Sequence, residues 1–180
     1  RMRALLFRII YFFVFFGTST IAGMLIPFLQ YKGFDPIQTG SLISLFTLSG
    51  LVGLFSIGYF CDKLKTIKKV LFPSLIITTI TGAIAILFNK GIVFYIGFFL
   101  MGLFNSMLGP LCDSWIMESS DDIKSRFGQL RAFGSVGWAF GVLIVGFVIS
   151  NLGYKYVTFI YVGSLLVGIF CAFRLKDVVK

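Results

Sequence analysis

The chain has 180 residues, of which 58% are apolar and only 13% charged, and its net charge is +9. A soluble domain usually carries about a quarter charged residues, so this composition excludes an ordinary soluble globular protein. There is no histidine, which excludes His-based catalysis and makes zinc chemistry unexpected. The three cysteines are far apart and in no metal-binding spacing, so we expect neither a metal nor a cofactor.

Six long apolar segments predict an all-α membrane protein with six transmembrane helices in one bundle over residues 1–180. Each is near the ~20 residues that a bilayer requires. The first is too long for the core of a cleaved signal peptide, and we interpret it as a spanning helix. The predicted helices cover roughly 5–30, 37–60, 70–88, 92–117, 130–150 and 157–173. The breaks between them are short, so consecutive helices should be antiparallel, and a three-plus-three internal symmetry is plausible.

The positive charges are distributed unequally between the two sides of the predicted bundle. Twelve fall at the two ends of the chain or in the second and fourth breaks: Arg1, Arg3, Arg8, Lys63, Lys65, Lys68, Lys69, Lys124, Arg126, Arg174, Lys176 and Lys180. Only Lys32, Lys90 and Lys155 fall on the other side. The positive-inside rule therefore predicts cytoplasmic N- and C-termini in a plasma-membrane protein. This topology explains the net charge, so no nucleic-acid partner is expected.

Two charged residues fall within predicted helices. Asp113 lies before the cytoplasmic end of the fourth helix, and Arg131 lies near the cytoplasmic start of the fifth. Charges inside a membrane are costly and usually face a cavity or a partner. We predict that the two side chains pair and bind a neutral hydroxylated solute. The alternative is a structural pair in which Arg131 extends to the lipid headgroups.

Helical spacing places Ser135 and Trp138 on the same stripe as Arg131. Trp138 lies ~10 Å deeper than Arg131, which is too deep for an interfacial aromatic belt. Its indole could stack on the apolar face of a sugar ring, although packing or lipid contact would also explain it. Trp115, close to the end of the fourth helix, is expected to be a belt residue.

Glycines and small polar residues mark the two helices expected nearest the solute. Gly137 and Gly141 have the spacing that allows close helix packing. The first helix contains the segment 17–20, Gly-Thr-Ser-Thr, followed by Gly23 and Pro27. Such residues in mid-span suggest that the first helix lines a cavity. Hydroxyl groups can also bond back to their own helix, which is the alternative explanation.

In the break after the second helix, Gly58 is followed after three residues by Asp62 and Lys63, and further lysines come later. This pattern resembles the signature loop of the major facilitator superfamily. Lys65 replaces the glycine usual three positions after the aspartate. The resemblance implies a gating loop formed by Gly58, Asp62 and Lys63.

A second pattern runs from Pro110 to Asp113 and then from 127 to 138, where the residues read Arg-x-x-Gly-x-x-Gly-Trp. This pattern resembles the lactose permease group of proton-coupled sugar transporters. By this resemblance Asp113 replaces a sugar-binding glutamate, Arg131 is its arginine partner, and Trp138 stacks on the sugar. Gly23, four residues before Pro27, resembles the group's tightly packed glycine of the first helix.

The resemblance implies the N-terminal half of a secondary transporter, with a proton as the coupling ion. The expected partners are a small-molecule solute, the lipid bilayer and a C-terminal six-helix half. A carrier of nucleosides, aromatic acids or drugs is an alternative, and so is a small membrane scaffold that transports nothing. Nothing in the sequence indicates a nucleophile–base pair, so we do not expect an enzyme.

Overall fold

The computed structural model describes residues 1–89 and 91–177, and each span predicted from the sequence contains a long helix in it. The helices are α1 (Met2–Ala22), α2 (Leu25–Tyr31), α3 (Pro36–Leu64), α4 (Lys68–Leu87), α5 (Ile92–Met117), α6 (Asp121–Ser125), α7 (Phe127–Asn151) and α8 (Val157–Arg174), with a 3₁₀ turn at Tyr154–Tyr156 before α8. Within the described residues, six helices are long and apolar enough to cross a membrane. The prediction of six spanning helices is therefore confirmed. Lys90 and Lys180, which entered the charge count, lie outside the described residues.

Local sequence explains where several helices begin and end. Asp35 caps α3: its carboxylate accepts from the Gln38 amide at 2.8 Å, and its own amide donates to the Gln38 side chain at 3.1 Å. Pro36 occupies the first helical position, where a missing N–H costs nothing. α3 ends at Leu64, and the next residue, Lys65, adopts a left-handed conformation with φ 52°. This is where the related signature loops have glycine, the residue that adopts φ > 0 without strain.

The first predicted helix, 5–30, is divided into α1 and α2 in the structure. The division falls at Gly23 and Met24, and Pro27 is the third residue of α2. Proline has no N–H to donate to the carbonyl of Gly23, and its ring would crowd that carbonyl in a continuous helix. The apolar pattern continues through the division, so hydropathy alone predicted a single helix.

The short helix α6 lies in the charged break between the fourth and fifth spans, where no helix was predicted. Asp121 and Asp122 occupy its first turn, where carboxylates favour the helix dipole. Arg126 follows α6 and pairs with Asp122 at 3.2 Å.

The first three spans, α1, α3 and α4, pack in the same way as the last three, α5, α7 and α8. If α1 is exchanged with α5, α3 with α7 and α4 with α8, the main helix contacts stay the same. α1 packs against α7 and α8, and α5 packs correspondingly against α3 and α4. α4 and α8, which exchange with each other, pack together. The bundle thus has the three-plus-three organisation considered from the sequence, with α1 and α5 as equivalent helices.

Trp115 is completely buried, so the prediction that it belongs to an interfacial belt is wrong. Its ring meets Phe7 edge-to-face with centroids 5.9 Å apart, and its indole N–H donates to the carbonyl of Lys176 at 3.3 Å. The residue lies near the end of a span as expected. Protein surrounds it there because α1 and the chain after α8 both pack against this end of α5.

Candidate solute-binding site

Asp113 of α5 and Arg131 of α7 face each other across the bundle. Arg131 Nε lies 3.6 Å from Asp113 Oδ1, and each side chain is 36% exposed. α5 and α7 are consecutive, antiparallel spans, and this arrangement brings the two residues to similar depth. A charged pair left partly accessible inside a membrane-spanning bundle retains hydrogen-bonding capacity for a ligand.

Tyr11 of α1 completes this cluster. Its hydroxyl donates to Asp113 Oδ1 at 2.6 Å, and the tyrosine itself is fully buried. The guanidinium carbon of Arg131 lies 4.5 Å from the centre of the Phe15 ring and 5.9 Å from that of Tyr11. Ring faces attract the guanidinium, and Tyr11 fixes the carboxylate, so α1 orients both members of the pair. Tyr11 was not predicted from the sequence, because a tyrosine within an apolar run is not distinctive.

A cavity of about 350 Å³ opens beside the pair. Its walls come from α1, α5 and α7, and they are Val14, Phe15, Thr18, Asn105, Ser106, Leu108, Gly109, Pro110, Asp113, Arg131 and Trp138. Ser135 lines a second cavity of about 280 Å³ together with Phe15, Arg131 and Trp138. The stripe predicted on α7 thus borders both cavities. Asn105 and Ser106 were also missed, because their polar groups lie within the longest apolar stretch of α5.

Gly23 lies close to Trp138 and Val142 of α7. A Cβ at Gly23 would be 3.4 Å from Trp138 Cζ2 and only 2.8 Å from Val142 Cγ2. The Cβ would also come within 2.6 Å of the carbonyl oxygen of Ser19, so a side chain there would require a shift of Val142 and of the end of α1. The glycine therefore allows the end of α1 to approach the residue that borders both cavities.

The small polar residues of α1 are only partly directed to the cavity. Thr18 lines it, and its hydroxyl bonds back to the carbonyl of Val14 at 2.9 Å. The Ser19 hydroxyl bonds to Phe16 O at 2.8 Å. α1 lines the cavity as predicted, and the alternative explanation for its hydroxyls also holds.

The residues assigned to a gating loop lie at the end of α3 and do not line either cavity. Gly58 is exposed, with open space where a Cβ would be. Lys63 lies over the ring of Tyr59, 5.4 Å from its centre. Asp62 is exposed in the last turn of α3. Their part in gating stays a prediction.

The chemistry of the cavity suits a neutral polyhydroxylated molecule. A guanidinium provides paired donors, a carboxylate provides acceptors, and the side-chain amide of Asn105 offers both. The indole of Trp138 and the ring of Phe15 add apolar surface. Ligand sites commonly combine apolar walls with a few convergent polar groups in this way.

The described part of the chain is thus a bundle of six long apolar helices with a cavity beside a charged pair. The sequence model of the Major Facilitator Superfamily matches residues 8–180. The chain belongs to this superfamily.

Two curated relatives support the assignment. The chain is similar to a maltose permease of Geobacillus stearothermophilus, with 23% identity over 174 residues. It is also similar to the uncharacterized transporter YwbF of Bacillus subtilis (strain 168), with 28% identity over 155 residues. These alignments cover 96% and 84% of this chain but only 44% and 38% of the relatives. The chain therefore spans less than half the length of these relatives.

Proposed function

We propose that the chain is the N-terminal half of a secondary transporter that takes up a sugar or glycoside with a proton by alternating access. The observation that supports this most is the cavity beside Asp113 and Arg131, bordered by Trp138. The similarity to a maltose permease supports a sugar over other solutes. A second six-helix half, from the same or another polypeptide, would close the solute path.

The partly open pair argues against the alternative of a membrane scaffold. A structural ion pair in a bundle is best enclosed and saturated with hydrogen bonds, because unpaired charge in a membrane is costly. Here both side chains remain 36% exposed beside a cavity. Carriers of nucleosides, aromatic acids or drugs could use the same pair, so the solute must be tested directly.

The test is direct binding to the full-length protein in lipid over a panel of sugars, nucleosides and aromatic acids. Losing one charge-assisted hydrogen bond costs about 1.5–3 kcal/mol, so Arg131→Lys and Asp113→Asn should each weaken binding at least about tenfold. Trp138→Tyr should be milder than Trp138→Ala, since a smaller ring still stacks. Arg126→Lys is the matched control, because Arg126 also pairs with an aspartate, Asp122, but both side chains are exposed and lie away from the cavity.

Unchanged sugar binding in the Asp113, Arg131 and Trp138 variants would place the site elsewhere and make the pair structural. If only nucleosides or aromatic acids bind, the proposal of a solute transporter stands and the proposal of a sugar substrate is wrong. Proton coupling has its own measurement: sugar accumulation in vesicles should follow an imposed pH gradient and collapse with a protonophore.

The proposed orientation puts both termini in the cytoplasm. The labelling test uses single cysteines at Lys155 and Lys124, both exposed and on opposite sides of the bundle in the predicted topology. The native cysteines are buried, which keeps the background low. An impermeant thiol reagent outside intact cells should label position 155 and spare position 124. The reverse pattern would invert the orientation.

A further inference from the structure

A cavity separate from the solute site lies where α1 begins and α8 ends. It has a volume of about 350 Å³. Its walls are Met2, Arg3, Leu6, Arg174, Leu175 and Lys176. Three of these six residues are cations and none is acidic, so the cavity is strongly electropositive.

The cations of this cavity have few partners in the protein. Arg3 Nη2 makes one long hydrogen bond, 3.4 Å to Ser119 Oγ. Arg3 Nε is buried and has no acceptor among the described residues. The guanidinium of Arg174 lies 5.4 Å from the centre of the exposed Phe170 ring. The ion pairs found in the described part of the chain involve neither arginine, so their donors are available to an anion.

The chain that forms one wall is held in place. The carbonyl of Lys176 accepts from the buried Trp115 indole at 3.3 Å, and that of Leu175 accepts from Lys68 Nζ at 2.7 Å. Asp177, the nearest acid in sequence, accepts from the Thr66 hydroxyl and from the Lys68 amide. Its carboxylate is thus engaged with the start of α4 and does not line the cavity. The site is therefore preformed.

We propose that this cavity binds the phosphate group of an anionic phospholipid. α1 and α8 are membrane spans, so the ends that meet here lie at the level of the lipid headgroups. Guanidinium groups match the geometry of phosphate oxygens, and basic clusters at the membrane surface attract anionic lipid. The side chains of Met2 and Leu6 supply apolar surface for the glycerol and the upper acyl chain.

The test measures phosphatidylglycerol binding to the full-length protein in neutral detergent, by native mass spectrometry and by thermal stabilisation. Each cation near a membrane surface contributes about fivefold to anionic-lipid affinity, so Arg3→Gln/Arg174→Gln should lose about 25-fold. Arg126→Gln/Lys155→Gln is the matched control, because it removes the same charge outside the cavity. Phosphatidylcholine should bind weakly to every variant.

Equal losses in the two double variants would show attraction to net charge and overturn the site. Equal binding of phosphatidylcholine would also overturn it. Inorganic phosphate that stabilises the protein as well as phosphatidylglycerol would make a soluble anion the ligand. If the double variant does not fold, Lys176→Gln replaces it, with an expected loss of about fivefold. The side chain of Lys176 is exposed, so this change should preserve the fold.

Discussion

Two tyrosines show how the two sides of the bundle differ. Tyr11 on the α1–α7 side and Tyr161 on the α4–α8 side are both buried, and each donates a hydrogen bond of 2.6 Å. Tyr11 donates to the half-exposed carboxylate of Asp113, whereas Tyr161 donates to the backbone carbonyl of Thr78. The first bond orients a group that faces a cavity. The second closes an interface in which both partners are buried.

Glycines allow close helix packing on both sides of the bundle, but the atoms that approach the glycines differ between the two sides. On the α1–α7 side, a Cβ at Gly137 would overlap the backbone carbonyl of Phe12, and one at Gly141 would overlap the backbone carbonyl of Phe16 as well as Ser19 Oγ. On the α4–α8 side, a Cβ at Gly82 would overlap the ring of Tyr161. On the α1–α7 side, called the solute side because it borders the cavity beside Asp113, the glycines let one backbone approach another. On the α4–α8 side, called the closed side because its partners are buried, Gly82 lets a backbone approach a side chain. The close approach predicted for Gly137 and Gly141 is present in the structure.

The largest effect is expected from adding a methyl group at Gly137. Overpacking typically costs about 1–3 kcal/mol and occasionally more, and a backbone obstacle leaves no side chain to rotate away. Gly137→Ala should lower the thermal midpoint of the detergent-solubilised protein and separate α1 from α7. Gly146→Ala on the same helix is the control, since a Cβ there meets open space.

Gly82→Ala tests the same contrast on the closed side. This change should lower stability, and a second change, Tyr161→Leu, should restore part of the loss because it removes the ring that the new Cβ would overlap. No side-chain change should rescue Gly137→Ala in this way. A Gly137→Ala protein as stable as the Gly146→Ala control would contradict the backbone-to-backbone fit of the solute side.

Removing the hydroxyl of Tyr11 should mainly weaken solute binding, whereas removing that of Tyr161 should mainly lower stability. Tyr11→Phe takes a hydrogen bond from a carboxylate, worth about 1.5–3 kcal/mol, and should weaken solute binding about tenfold by releasing Asp113. Tyr161→Phe takes a bond from a backbone carbonyl, worth about 1 kcal/mol, and should lower stability while solute affinity stays constant. Thermal unfolding and direct binding on both variants separate the outcomes. Equal effects on affinity would remove the distinction between the two sides.

Much of the solute side could be predicted from sequence because its residues break a strong pattern. Charges are rare in spanning helices, so Asp113 and Arg131 were conspicuous, and helical spacing then added Ser135 and Trp138. Tyr11 was not found, because a tyrosine in an apolar run is ordinary and only the packing of α1 brings its hydroxyl to Asp113.

The closed side could not be predicted beyond its helices. Tyr161, Thr78 and Gly82 are common residues in apolar segments, and their contact depends on how α4 and α8 cross. Trp115 shows the same limit: its position near a helix end was evident, while its burial depends on the chain after α8. The division between α1 and α2 follows from Pro27, a local cause that hydropathy does not detect.

The smallest expected effect is on the pH dependence of stability, and it comes from Lys32, which contacts the end of α4 on the closed side. Its ammonium group is buried and donates to the carbonyls of Ile86 and Phe88 at the end of α4. Burial lowers the pKa of Lys32 from 10.5 to about 8. Between these values the unfolded chain binds a proton that the folded chain releases, so stability should rise as pH increases from about 8 to 10.5. The two carbonyls favour the ammonium form and keep the rise small. Thermal midpoints across this range test it, with Lys32→Met as the control. The prediction fails if the native protein and the variant share the same pH profile.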